Sequence, residues 1–200
     1  TSTYTWDWNT SSQAEGTYYI KAVAYDAAGN ASATSVNTRY VDKTAPAVSS
    51  ISNTYSGSDQ AYLNLGTFTF TAAVSNTAGG YASPIAKVEF NRETVSTGWT
   101  DPPEGTDTTA NYTWDWNTSA QGEGNYYINA RAYDAAGNES ATSANLRYLD
   151  KSSPTSPAIS SITVPTNAES NYVRGTVTVT GTGSDNRGID YVRFYIDGVS

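Results

Sequence analysis

The sequence predicts an all-β chain built from tandem two-sheet sandwiches, and three observations carry that expectation. The chain sets 16 Tyr, 5 Trp and 4 Phe among runs rich in Thr and Ser, with only 15% charged residues. Rings and Thr fit a pleated, half-buried surface, and this many rings is out of place in a solvated tail. Apolar and polar residues alternate with period two in several stretches, which places them on opposite faces of a strand. A unit of about 108 residues also recurs: Tyr4 to Asp42 matches Tyr112 to Asp150 at 30 of 39 positions. A period of that length is the size of one domain.

Weaker matches extend the unit: Pro46–Ile51 with Pro157–Ile162, Gly66–Thr71 with Gly175–Thr180, and Ile85–Phe90 with Ile189–Phe194. Residues 43–150 therefore read as one complete repeat. Residues 1–42 read as the C-terminal half of a preceding repeat, and residues 151–200 as the N-terminal half of a following one. The chain opens inside the pattern and reads as a segment of something larger. The joints, Asp42-Lys43-Thr44-Ala45-Pro46 and Asp150-Lys151-Ser152-Ser153-Pro154, are short and carry proline, so they are expected to be semi-rigid.

Within the complete repeat, Gly, Pro, Asn and Asp bound six main strands. Ala47–Ser52 follows Pro46. In Gly66–Val74, Phe68 and Phe70 share one face and Thr67, Thr69 and Thr71 the other. Ile85–Arg92 comes third. Asn111–Trp116 places Tyr112, Trp114 and Trp116 on one face. In Asn125–Tyr133, Tyr126, Ile128, Ala130 and Ala132 face inward, and the alanines leave room for tryptophans across the sandwich. Asn129 and Arg131, which are Lys21 and Val23 in the first copy, are expected to face solvent. Ser143–Leu149 is the sixth strand, reached through the turn Asp134-Ala-Ala-Gly-Asn138.

Composition excludes several chemistries. There is no Cys and no His. The chain therefore has no disulfide framework, no thiolate metal site, no thiol nucleophile and no Ser-His-Asp triad. A formal charge of −8 with 11 scattered basic residues argues against nucleic acid as a partner. No apolar run is long enough for a membrane span.

The aromatic-alternating strand (Tyr112, Trp114, Trp116), the Glu123-Gly-Asn-Tyr126 turn, the Ala-x-Ala-Tyr-Asp-Ala-Ala-Gly-Asn run at 130–138 and the Asp-Lys-x-x-Pro joint together resemble a known group. They are similar to the tandem bacterial and archaeal immunoglobulin-like (Ig-like) repeats of large extracellular surface or fibre proteins. The resemblance implies an Ig-like β-sandwich. It also implies a role as stalk, spacer or adhesive surface outside the cell.

Each candidate site has a plainer reading beside it. Asp26-Ala-Ala-Gly-Asn30 and Asp134-Ala-Ala-Gly-Asn138 look like fragments of calcium loops but lack the regular acidic spacing such loops use, and they read more simply as Asx turns. A calcium ion at the joints, with Asp42 and Asp150 as added ligands, stays open at this point. Tyr4, Trp6, Trp8 and their repeats would suit a sugar platform, yet rings at period two read as core. Tyr19, Tyr25, Tyr127, Tyr133 and Trp99 are expected to be exposed contact residues. Asp101, Glu104 and Asp107 crowd the Thr97–Asp107 loop. A surface loop of this kind offers neither the burial nor the rigidity that paired catalytic carboxylates need. Glycosylation sequons stand at Asn9, Asn30, Asn111, Asn117 and Asn138.

The expected function is that of a non-enzymatic, extracellular or cell-surface structural protein whose repeats form a rod or filament by head-to-tail continuation. Its partners would be copies of itself or adjoining repeats, and surface glycans in the alternative reading as an adhesin or carbohydrate-binding module. No catalytic residue, cofactor or metal is assigned.

Overall fold

The computed structural model describes residues 2–54, 61–77, 79–163 and 172–197. Residues 43–150 form two facing sheets. One has three strands: β3 (Ala47–Asn53), β5 (Thr67–Ser75) and β8 (Thr113–Asn117), in the order β3-β5-β8. The other holds β4 (Tyr62–Leu63), β6 (Ile85–Glu93), β7 (Gly105–Asp107), β9 (Gly124–Asp134) and β10 (Ser143–Leu149), in the order β4-β10-β9-β6-β7. All pairings are antiparallel except the short β4–β10 ladder. This is the two-sheet, crossed-connection plan of an Ig-like sandwich.

The six expected strands are all present. The short strands β4 and β7 were not expected: two or three residues carry no readable alternation. The inner faces meet as the period-two pattern requires. Phe70, Phe90, Val88, Ile128, Ala130, Ala132 and Leu149 are fully buried, and Trp116 is 3% exposed. Trp114 lies between Phe70 and Phe90, with ring centroids 6.1 and 6.3 Å away. The alanines of β9 stand opposite Phe90 and Val88 in the ladder with β6, so large residues fill the space that small ones leave.

Gly105 shows how tightly this core is closed. A Cβ at that position would sit 2.1 Å from Cδ1 of Trp114, so β7 can cross the indole only as glycine. Tyr126 closes the corner before β9 by donating its hydroxyl to the Gly122 carbonyl at 2.8 Å while its ring meets Trp116 edge-on.

The expectation that Asn129 faces solvent is corrected. Asn129 and Asn91 are both buried, because the chain between β6 and β7 folds back over the outer face of the sheet. Asn129 Nδ2 donates to the Gly98 carbonyl at 2.6 Å, Asn91 Nδ2 donates to the Thr100 carbonyl, and Asn91 Oδ1 accepts the Glu104 N–H at 2.8 Å. Two buried amides thus pin a loop that reads as mobile from its Pro and Gly content.

The outer segments are simpler. β1 (Gly16–Ala22) pairs with β2 (Ser35–Val41), and β11 (Ala158–Thr163) pairs with β12 (Thr178–Thr182). Residues 4–8, equivalent to the start of β8, form no strand among the described residues, and Tyr4 and Trp6 are 90% and 71% exposed. Trp116 lies in the core as expected, whereas Tyr4 and Trp6 have no strand equivalent to β5 beside them among the described residues.

Candidate functional site: the joint between repeats

The most heavily built polar site lies where one repeat hands over to the next. Glu15 ends the first copy's loop before β1. Its Oε1 accepts the Lys43 N–H and the Thr44 hydroxyl, both at 2.7 Å. Lys43 Nζ reaches back to the carbonyls of Ser11 and Gln13, at 2.8 and 2.5 Å. The second joint repeats the arrangement. Glu123 Oε1 accepts the Lys151 N–H and the Ser152 hydroxyl, both at 2.8 Å, and Lys151 Nζ donates to the carbonyls of Ser119, at 2.9 Å, and Gln121. Each linker is therefore locked to the repeat it leaves. The Thr44 hydroxyl and the Lys43 N–H hold the Glu15 carboxyl below its usual range, and Ser152 and Lys151 do the same for Glu123.

Asp42 completes the first joint on the other side. Its Oδ1 accepts the Thr44 N–H at 3.1 Å and its Oδ2 the Ser83 N–H at 2.7 Å; its carbonyl accepts Asn138 Nδ2 at 3.2 Å. Burial pushes its carboxyl up, but the hydrogen bonds from Ser83, Thr44 and Asn76 outweigh that and hold it below the usual value. Ser83 precedes β6 and Asn138 closes the turn after β9, so Asp42 ties the preceding segment to two loops of the complete repeat. At the second joint, Asn186 Nδ2 lies 3.4 Å from Glu123 Oε2, and the Arg187 guanidinium sits over the Tyr148 ring at 5.5 Å.

The two Asp-Ala-Ala-Gly-Asn segments are Asx turns. Asp134 Oδ1 accepts the Asn138 N–H at 2.8 Å, Oδ2 accepts Asn138 Nδ2 at 2.9 Å, and Gly137 takes φ +91°. Asp26 and Asn30 reproduce the pattern at 2.8 and 2.7 Å. In the complete repeat the turn and the joint do come together, as the sequence suggested, but through amide N–H donors. Among the described residues no three acidic side chains are grouped to hold a metal ion.

The remaining candidates disperse. Trp99 is half-buried rather than exposed, with the Arg131 guanidinium 4.3 Å above its ring. Tyr127 and Tyr133 are also half-buried, and Lys87 Nζ covers Tyr133 at 4.4 Å; Tyr19 and Tyr25 are exposed. Glu104 pairs with Arg92 at 3.0 Å, and partial burial raises its carboxyl against that pull. Asp107 accepts from Thr109 and Thr113, which lower it to about 2. Asp101 accepts from Trp99 Nε1. The three carboxyls serve separate structural partners. Of the sequon residues, Asn9, Asn30, Asn111 and Asn117 are exposed and Asn138 is half-buried; Asn30 commits its amide to Asp26, and Asn138 commits its own to Asp134 and Asp42.

Sequence reasoning missed the clamp because Glu15 and Lys43 are 28 residues apart. A signal was present: Glu, Gly, Asp and Lys recur unchanged at both joints while their neighbours vary.

Fold and joint together define a tandem Ig-like β-sandwich protein. The profile of the bacterial Ig domain family matches residues 50–130 and 159–200, and that of the bacterial Ig-like domain (group 3) matches residues 2–78. The chain belongs to the bacterial Ig domain family. Such domains are generally non-catalytic and typically occur in surface or extracellular proteins. Among the described residues no helix is long and apolar enough to cross a membrane.

Among solved structures, the chain is similar to the fibronectin(III)-like modules of Clostridium thermocellum CbhA. They share 23% identity at a TM-score of 0.41, over 69% of this chain and 64% of that one. It is also similar to the FN1-FN3 domains of chicken CNTN1, with 18% identity and a TM-score of 0.37, over 74% of this chain and 49% of that one. The chain thus spans less than two thirds of either structure. No curated protein matches it.

Proposed function

We propose that the chain is a non-enzymatic, extracellular structural element. Its Ig-like repeats, bounded at 42/43 and 150/151, continue head to tail as a stiff rod. The observation that carries this reading is the clamp built twice from the same residues, Glu15–Lys43–Thr44 and Glu123–Lys151–Ser152. A spacer that only tethers would use a flexible linker; one that sets direction and reach must fix its joints. The residues of the joint donate and accept hydrogen bonds to hold backbone in place, and no catalytic, cofactor or metal role is assigned to them. Negative-stain electron microscopy tests the reading. Straight particles of uniform width are expected. Compact particles, or beads bent at random angles, would overturn it.

A further inference from the structure

We propose that Asn117, with its repeat equivalent Asn9, is the acceptor of an N-linked glycan, carried at the same place on each repeat. This goes beyond the rod reading and needs only the extracellular placement within it.

Five Asn-x-Ser/Thr triplets stand in the sequence, at Asn9, Asn30, Asn111, Asn117 and Asn138. A triplet alone is a weak signal. Two independent features pick the same pair from the five. The first lies in the sequence. Asp7-Trp8-Asn9-Thr10-Ser11 recurs unchanged as Asp115-Trp116-Asn117-Thr118-Ser119, so both acceptors have a carboxylate two residues before them. Asn30, Asn111 and Asn138 have Ala28, Thr109 and Ala136 at that place. An arginine in a transferase groove can grip a carboxylate through two parallel hydrogen bonds, which selects among triplets that are otherwise alike.

The second lies in the fold. Asn117 is exposed, and its Oδ1 accepts the Ser119 N–H at 2.9 Å. Asn9 is exposed and accepts the Ser11 N–H at the same 2.9 Å. Neither Nδ2 donates a hydrogen bond among the described residues. A glycosylated amide keeps its carbonyl oxygen and one N–H, so this turn survives the modification. Asn138 is the opposite case. Its Nδ2 donates to Asp134 Oδ2 at 2.9 Å and to the Asp42 carbonyl at 3.2 Å, so a sugar on that nitrogen would cost the joint a donor. Asn30 Nδ2 is held by Asp26 Oδ2 at 2.7 Å.

Thr118 is fully buried, and its hydroxyl donates to the Asn64 carbonyl at 2.8 Å. Transfer therefore precedes the closing of β8 onto β5, while the segment can still enter an oligosaccharyltransferase. The donor is an oligosaccharide on a lipid pyrophosphate. Asn117 Nδ2 bonds to C1 of the first sugar, the C1–O bond to the pyrophosphate breaks, and the lipid pyrophosphate leaves with the electron pair as Nδ2 loses one proton. In the finished fold β8 is the edge strand of the three-stranded sheet, so the glycan hangs at an edge that another sheet could otherwise join.

The test exports the chain into a bacterial periplasm that carries an oligosaccharyltransferase and its polyprenyl-pyrophosphate oligosaccharide, and reads glycopeptides by mass spectrometry. Glycan is expected at Asn117 and Asn9 and at none of the other three. Asp115→Ala should abolish it at Asn117 and leave it at Asn9. The glycosylated chain should melt at the temperature of the unmodified chain. Ala136→Asp, which supplies the missing carboxylate, should bring glycan to Asn138 and lower the melting temperature against the same variant without glycan. A bare Asn117, a glycan there that survives Asp115→Ala or lowers the melting temperature, equal occupancy of all five triplets, or an Asn138 left bare or harmlessly glycosylated in Ala136→Asp would each overturn the proposal. Particles bent at random angles would remove the rod reading and leave the glycan site standing.

Discussion

The Ser83 N–H donates to Asp42 Oδ2 at 2.7 Å, a bond that spans 41 residues and crosses from the end of one repeat into a loop of the next. Asp42 is 8% exposed, so the joint shields this contact from water. Asp42→Ala leaves the Ser83 and Thr44 N–H groups without this acceptor. Faster hydrogen exchange at Ser83 is expected, with exchange in the middle of β9 unchanged. Unchanged exchange at Ser83 would show that Asp42 does not hold the joint.

Equivalent tryptophans should differ in worth. Trp116→Ala removes a core ring and should cost the complete repeat about 3–5 kcal/mol. Trp8→Ala, at the same place in the first copy, touches Tyr18 but lies outside that core. It should change the unfolding of residues 43–150 by less than about 0.5 kcal/mol. Urea denaturation followed by fluorescence compares the two.

Gly105→Ala should destabilise the sandwich by about 1–3 kcal/mol, since the new methyl meets the Trp114 ring. Pairing it with Trp114→Leu should recover part of that loss, because the smaller side chain makes space. A purely additive double variant would show that the clash is relieved elsewhere.

Acid should weaken the complete repeat through Asp107, whose carboxyl is lowered from 3.8 to about 2 by the Thr109 hydroxyl and the Thr113 N–H. A carboxyl depressed on folding stabilises above its unfolded value and loses that contribution as pH falls through the folded one. The loss therefore runs from about pH 4 down to about pH 2. Glu104 acts oppositely, because its carboxyl is raised by burial. Asp107→Asn should flatten the fall of melting temperature across that range.

Much of the fold was legible because its strands are long enough to alternate. Phe68 and Phe70, and Trp114 and Trp116, each mark an inner face by period two. The strands β4 and β7 are too short for any period. Asn129 was misread because an amide in a strand normally signals solvent, and only the folded-back loop supplies the partners that let it be buried. The turns at Asp26 and Asp134 were legible as Asx turns, since Asp, Gly and Asn stand at the positions such turns use. The joint was half legible: its proline and its brevity were visible, but Glu15 and Lys43 meet only after β1 and β2 pair.

The claim at the centre of this account is a stiff joint. Spin labels at Thr38→Cys and Ser96→Cys, on either side of the first joint, measure it by double electron–electron resonance. A single narrow distance distribution is expected, broadening in the Glu15→Ala, Asp42→Ala background. A broad distribution in the otherwise unaltered chain, or no broadening when both carboxylates are removed, would contradict the account.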